Sequence, residues 1–166
     1  ETGLEYRGYD SAGLALINNS QVLRERRVGK VANLEQAVNE SQISGSLGIA
    51  HTRWATHGKP TEENAHPHIS ENVAVVHNGI IENYQELKDD LEALGYVFTS
   101  QTDTEVVAHL INDALKSTPS LLEAVRQVVP QLKGAYALGI VHTDHPDELI
   151  TCLLYTSDAA DDMQCV

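Results

Sequence analysis

The sequence predicts an α+β fold, a layered sandwich of sheets and helices rather than a strictly alternating parallel sheet. Two observations carry that expectation. Residues 12–17 and 21–28 are strand-like runs separated by Asn18-Asn19-Ser20, a hairpin signal. Later strand-like runs are separated by single helical stretches, so hairpins and helix crossovers are mixed. Length sets the scale: 166 residues with 42% hydrophobic and 21% charged side chains suffice for one domain with a real core, and are too few for two large ones.

The opening Leu4-Glu5-Tyr6-Arg7-Gly8-Tyr9-Asp10-Ser11 is polar and turn-rich. After the hairpin, Val31, Leu34, Ala37 and Val38 recur at helical spacing, and that helix stops in the Ser/Gly-rich stretch near Gly45. Residues 48–52 read as a strand. Residues 54–70 lack periodicity and hold two prolines with His57, His66 and His68, so they read as the longest loop. Residues 73–76 form an apolar strand ending at His77. A helix over about 82–94 places Tyr84, Leu87, Leu91 and Leu94 on one face, with Gly95 as its stop. Residues 96–99 read as a short strand. Thr102-Asp103-Thr104-Glu105 matches a capping box for the next helix, and Ser120-Leu121-Leu122-Glu123 matches another, for a helix ending near Pro130. Residues 134–142 are again strand-like. After Ile150 the pattern breaks, and residues 151–166 read as an unrelated tail.

Charge narrows the function classes. The formal net charge is −13, from 24 acidic against 11 basic residues, which disfavours nucleic acid and anionic lipid as partners. The one basic cluster, Arg24-Glu25-Arg26-Arg27, reads as a solvated strand face. No apolar run is long enough for a spanning helix. Cys152 and Cys165 have no metal-type spacing and imply neither a disulfide framework nor a zinc site, so a reducing, cytoplasmic setting is expected.

Two polar strings carry the functional signal: His51-Thr52-Arg53-Trp54-Ala55-Thr56-His57-Gly58 and Val76-His77-Asn78-Gly79. Each follows a short apolar run, and loops at strand ends are where small polar substrates are gripped. Arg53 suits bidentate capture of a carboxylate and equally suits a surface position. Trp54 can wall a pocket, although burial is the commoner fate of a lone tryptophan. Thr56 and His57 can add contacts or simply turn the chain. Asn78 and the Gly79 N–H can form an oxyanion hole, or only a tight turn. Asp103 can bind an ammonium, or complement a helix dipole in a first turn. His66-Pro67-His68 with His57 and His77 lacks a helical zinc signature, so metal binding ranks low.

Taken together these strings resemble the N-terminal glutaminase domain of the glutamine–fructose-6-phosphate aminotransferases (glucosamine-6-phosphate synthases). The resemblance runs from Leu4 to about Ile150, through Asn64-Ala65-His66-Pro67-His68, Val75-Val76-His77-Asn78-Gly79-Ile80-Ile81-Glu82-Asn83 and Thr102-Asp103-Thr104-Glu105. It implies an N-terminal-nucleophile hydrolase fold, a four-layer α/β/β/α sandwich, incomplete here, and a class II glutamine amidotransferase domain over residues 1–150.

In that family an N-terminal cysteine thiolate attacks the glutamine amide, a glutamyl thioester forms, ammonia leaves and water releases glutamate. The resemblance assigns Arg53 to the substrate α-carboxylate with help around Thr56 and His57, and Asp103 to its α-amino group. Asn78 and Gly79 form the oxyanion hole, Trp54 belongs to the loop closing over L-glutamine, and Arg7 lies beside the nucleophile. It implies no cofactor or metal, fructose 6-phosphate as acceptor in a further domain, and a homo-oligomer at full length.

Because the first residue is Glu and no cysteine matches the nucleophile, the chain reads as truncated at both ends and inactive by itself. Two alternatives stand beside this reading: the glutaminase part of a phosphoribosyl-type amidotransferase, and a non-catalytic glutamine-binding module.

Overall fold

The computed structural model describes residues 9–54, 58–154 and 164–166. Its first unit is the expected hairpin. β1 (Ser11–Asn18) and β2 (Gln21–Val28) pair antiparallel with Asn18 opposite Gln21. The turn residues Asn19 and Ser20 have φ of 47° and 62°, the left-handed pair whose twist matches that of the flanking strands. β3 (Leu47–Arg53) adds to the other edge of β1, placing Gly13 opposite His51 and Ser11 opposite Arg53. The first sheet therefore runs β2-β1-β3.

Among the described residues a second, wholly antiparallel sheet follows chain order: β4 (His68–Ser70), β5 (Val73–Gly79), β6 (Tyr136–His142), β7 (His145–Leu154) and β8 (Gln164–Cys165). β3 packs across it, touching β5, β6 and β7. α1 (Val31–Ser41) lies on β1 and β2, burying Leu34 and Ala37, and ends at Gln42 in the left-handed conformation (φ 51°). α2 (Tyr84–Ala93), α3 (Glu105–Ala114) and α4 (Leu121–Val128) form the opposite outer layer, where α3 meets β4 and β5 and α4 meets β7. The order of layers is helix, sheet, sheet, helices.

Strand alternation divides the core in two, since successive side chains point to opposite faces. Val73, Val75, Leu138, Ile140 and Ile150 join Leu91, Val106, Val107, Ile111, Leu121 and Val125 from the helices. On the other face Ala74 and Val141 meet Ala15, Ile17 and Ile49 of the first sheet. Fully burying a branched aliphatic side chain contributes about 1.5–3 kcal/mol, so the helix-facing core carries most of the apolar stabilisation.

Several expectations are corrected. Residues 96–99 join no ladder: the Glu105 carboxylate accepts the Thr99 and Ser100 N–H groups (2.9 and 2.7 Å) that a neighbouring strand would need. The same carboxylate undoes the first capping box: α3 starts at Glu105, while the Thr102 hydroxyl bonds Ser100 Oγ and His68 Nε2. The second box holds in part, Ser120 Oγ accepting from the Glu123 N–H at 3.3 Å.

α2 begins at Tyr84, two residues later than expected, and the Asn83 side chain bridges the Gln131 carbonyl and the Lys133 N–H instead of capping it. Thr151 to Leu154, expected in a tail, complete β7, and β8 lies beside them. That pairing sets Cys152 opposite Cys165, and a disulfide joins them. Two cysteines so spaced give no hint of it until two strands bring them into register.

Candidate active site

The ends of β3 and β5, the start of α3 and residues 58–68 meet at one end of the sandwich. Asn78 and Gly79 are the last residues of β5, opposite Ala137 and Tyr136 of β6. They are strand, not the tight turn that Asn-Gly often signals. Gly79 has φ of 122°, a region that L side chains rarely adopt. A Cβ there would also run into the Ala135 carbonyl oxygen. The chain thus needs glycine at this point, and it carries the Gly79 N–H beside an exposed Asn78 carboxamide.

Arg53 closes β3 and is only 4% exposed. Its guanidinium pairs with Asp10 Oδ1 at 3.3 Å and donates to the Gly58 and Lys59 carbonyls at 3.3 and 3.4 Å. The surface alternative for Arg53 is thereby ruled out; it anchors the start of β1 and the loop that follows β3. Asp103 is also buried. Its Oδ2 accepts the Ile81 N–H at 2.8 Å, and its Oδ1 lies 3.9 Å from His77 Nδ1. It precedes α3 by two residues, so it is not a first-turn acid. Trp54 is 65% exposed, contrary to the burial expected of a lone tryptophan. Arg7, Thr56 and His57 lie outside the described residues.

A chain of imidazoles ties these groups together. His51 Nε2 lies 2.7 Å from Asn78 Oδ1, linking β3 to β5 across the sheet interface. The His51 ring packs on His66 with centroids 4.3 Å apart. His66 Nε2 and His77 Nδ1 both contact the Thr104 hydroxyl, at 2.8 and 2.9 Å. One hydroxyl carries one proton, so it donates to one ring and accepts from the other. Asn78, His51, His66, Thr104, His77 and Asp103 thus form one continuous network, and Arg53 stands two residues beyond His51 on the same face of β3.

Burial pushes His66 well below its ordinary value, with His68, His51, His77 and Arg53 adding to the effect. Burial lowers His51 too, against the opposing contacts with Asn78 and the His77 backbone. Both shifts favour the neutral forms of His51 and His66. His68 bonds Thr102 Oγ1 at 3.0 Å, so the histidines of this region are engaged with threonines and an asparagine.

Sequence reasoning missed several of these parts. His51 was within reach, because residues i and i+2 of a strand share a face and Arg53 was already singled out. Asp10 carried no such signal; its proximity to Arg53 follows from the β1–β3 register. Arg24 and Arg26 depart from the expected solvated face: their guanidinium groups donate to the Pro67, Glu63 and Ala65 carbonyls and pin the loop that presents His66. A cavity of about 510 Å³ lies elsewhere, between α2, α3 and the end of α4, and none of the candidate residues lines it.

Comparison with known proteins identifies the family. Residues 51–152 match the family model described as the glutamine amidotransferase domain. Glutamine–fructose-6-phosphate aminotransferase [isomerizing] of Acinetobacter baylyi is 83% identical over 148 residues, covering 89% of this chain and 24% of the relative. The Escherichia coli K12 protein of the same name is 57% identical over the same shares. The chain therefore spans about a quarter of the length of the curated relatives it matches.

Among solved structures, glutamine phosphoribosylpyrophosphate amidotransferase from B. subtilis superposes with a TM-score of 0.72 at 32% identity, over 90% of this chain and 32% of its own. The layered sandwich is the N-terminal-nucleophile hydrolase fold of class II amidotransferases. With a family match over more than half its length and the site network in the matched segment, the chain belongs to the glutamine amidotransferase family.

Proposed function

We propose that this chain forms the glutamine-holding part of a glutaminase whose parent enzyme converts fructose 6-phosphate to glucosamine 6-phosphate. The observation that carries the reading is the single network joining Asn78, His51, His66, Thr104 and Asp103, with Arg53 beside it. The 83% identity to the Acinetobacter baylyi aminotransferase favours fructose 6-phosphate as acceptor over the phosphoribosyl alternative, matched at 32%.

In this reading Arg53 receives the α-carboxylate of L-glutamine, and Asp103 the α-ammonium. A cysteine thiolate attacks the side-chain amide carbon, and the new oxyanion is held by Asn78 Nδ2 and the Gly79 N–H. Collapse expels ammonia and leaves a thioester, which water opens to glutamate. Trp54 shields the bound substrate; Thr56, His57 and Arg7 carry roles here only as the family resemblance assigns them. The thiol comes from neither Cys152 nor Cys165, which are joined to each other. The 166 residues alone accordingly bind glutamine without hydrolysing it.

Titration calorimetry with L-glutamine, beside a glutamate-release assay, tests both statements. Saturable 1:1 binding that weakens at least tenfold per folded molecule in Arg53→Lys and in Asp103→Asn is expected. Glutamate release by this polypeptide, or binding indifferent to both substitutions, would overturn the reading.

A further inference from the structure

We infer that His51 is a positioning residue for the oxyanion hole: its Nε2–H, donated to Asn78 Oδ1, holds the Asn78 carboxamide with its Nδ2 hydrogens turned toward the reacting amide. The inference rests on the proposed glutaminase reading.

A carboxamide has two nearly isosteric ends, one accepting and one donating. Only the Nδ2 end stabilises a developing negative oxygen; the flipped amide would set oxygen against oxygen. Among the described residues the His51 contact, at 2.7 Å, is the one hydrogen bond of the Asn78 side chain. The backbone of Asn78 is fixed by β6, but nothing in the strand ladder chooses between the two amide orientations. His51 makes the choice. His51 Nδ1 is buried with no hydrogen-bond partner, so the proton of the neutral ring belongs on Nε2, and the end of the Asn78 carboxamide that faces it at 2.7 Å is the accepting Oδ1.

The ring itself is held. It packs on His66 at 4.3 Å, and His66 is bonded to Thr104, next to Asp103. Gly13, opposite His51 on β1, lacks the Cβ that would collide with the His66 carbonyl oxygen, so the His66 segment can close over this strand. The residue that aims the oxyanion donor is thereby supported from the segment that holds the substrate ammonium.

The test sets these residues into the full-length Acinetobacter baylyi relative and measures glutaminase kcat and KM for His51→Phe, His51→Gln, Asn78→Ala and the double variant. Removing an oxyanion donor lowers kcat by about 10²–10³-fold. His51→Phe is expected to lose about 10–100-fold in kcat, with the KM for glutamine within about threefold. Gln, which returns an N–H near the Nε2 position, should restore most of it. In the Asn78→Ala background, His51→Phe should change kcat by less than about twofold, because the two act as one unit.

Multiplicative losses, or a His51→Phe enzyme with parental kcat, would overturn the inference while leaving the site intact. An Asn78→Ala enzyme with parental kcat would instead remove the glutaminase reading of this site. A readout that needs no turnover is the ring's own tautomer by ¹⁵N NMR on the unmutated chain: Nε2–H is expected, and Nδ1–H or a mixture defeats the proposal.

Discussion

The two faces of the five-stranded sheet follow opposite construction rules. The face under α2, α3 and α4 is packed with Val73, Val75, Leu138, Ile140 and Ile150 and with branched residues from the helices. The face toward β1 and β3 is thin, lined by Ala15, Ala74, Ile17, Ile49 and Val141. At the Asn78 end both faces turn polar: Asn78 meets His51 on the side of the first sheet, while His77, in phase with Val73 and Val75, meets Thr104 and Asp103 on the helix side. Dispersion and the hydrophobic effect need only volume at the right period, so the helix side tolerates changes of identity that keep size. The polar end is a set of directed bonds, in which a change of identity leaves a buried group without its partner. Apolar packing is concentrated under the helices and directed polar bonding at the Asn78 end of the sheet.

The largest expected effect is that of acid, which attacks the polar end. Burial lowers His66 far below its usual value and His68 to about 3. Glu105 is pushed up by burial, but four hydrogen bonds from Thr99 and Ser100 outweigh this and hold it below the carboxylate range. In each case the unfolded chain binds protons more readily than the folded one, so stability rises with pH wherever these groups titrate. Denaturant midpoints should be flat above pH 6.5 and fall steadily between pH 6.5 and 3. A midpoint unchanged from pH 7 to pH 4 would mean that the histidines are hydrated, and the contrast between the faces would fail.

Next in size is Ile140→Ala on the helix side, which should lower unfolding free energy by about 2–5 kcal/mol, read as a shift in midpoint at constant m-value. Glutamine affinity per folded molecule should be unchanged.

Thr104→Val sharpens the comparison from the polar end. It keeps volume but removes the hydroxyl shared by His66 and His77, and about 1–3 kcal/mol of stability should go with it. A loss below about 0.5 kcal/mol would show that the two imidazoles do not depend on that oxygen. Smallest is Ser120→Ala at the start of α4, remote from both. Its long 3.3 Å cap places it at the low end of the usual range, about 0.5–1 kcal/mol by thermal melting.

How far the sequence reaches is visible in particular residues. The hairpin at Asn19-Ser20, the helix on Leu87 and Leu91 and the cap at Ser120 rest on neighbours one to four residues apart, and each was legible. Residues 96–99 form no strand because the donors of Thr99 and Ser100 are taken by the carboxylate of Glu105, six and five positions on. The basic cluster misled for a similar reason: Arg24 and Arg26 face carbonyls some forty positions away.

Arg53, Asn78, Gly79 and Asp103 were recognisable because the strings around them resemble a known family, and the fold class followed from the mixture of hairpins and helices. That Asp10 pairs with Arg53, that His51 holds Asn78, and that Cys152 meets Cys165 were settled only when strands distant in sequence came into register. The physical reason is range: turn, cap and period are set by neighbouring dihedrals and burial. A hydrogen bond between sheets depends on sub-ångström placement that no local pattern encodes.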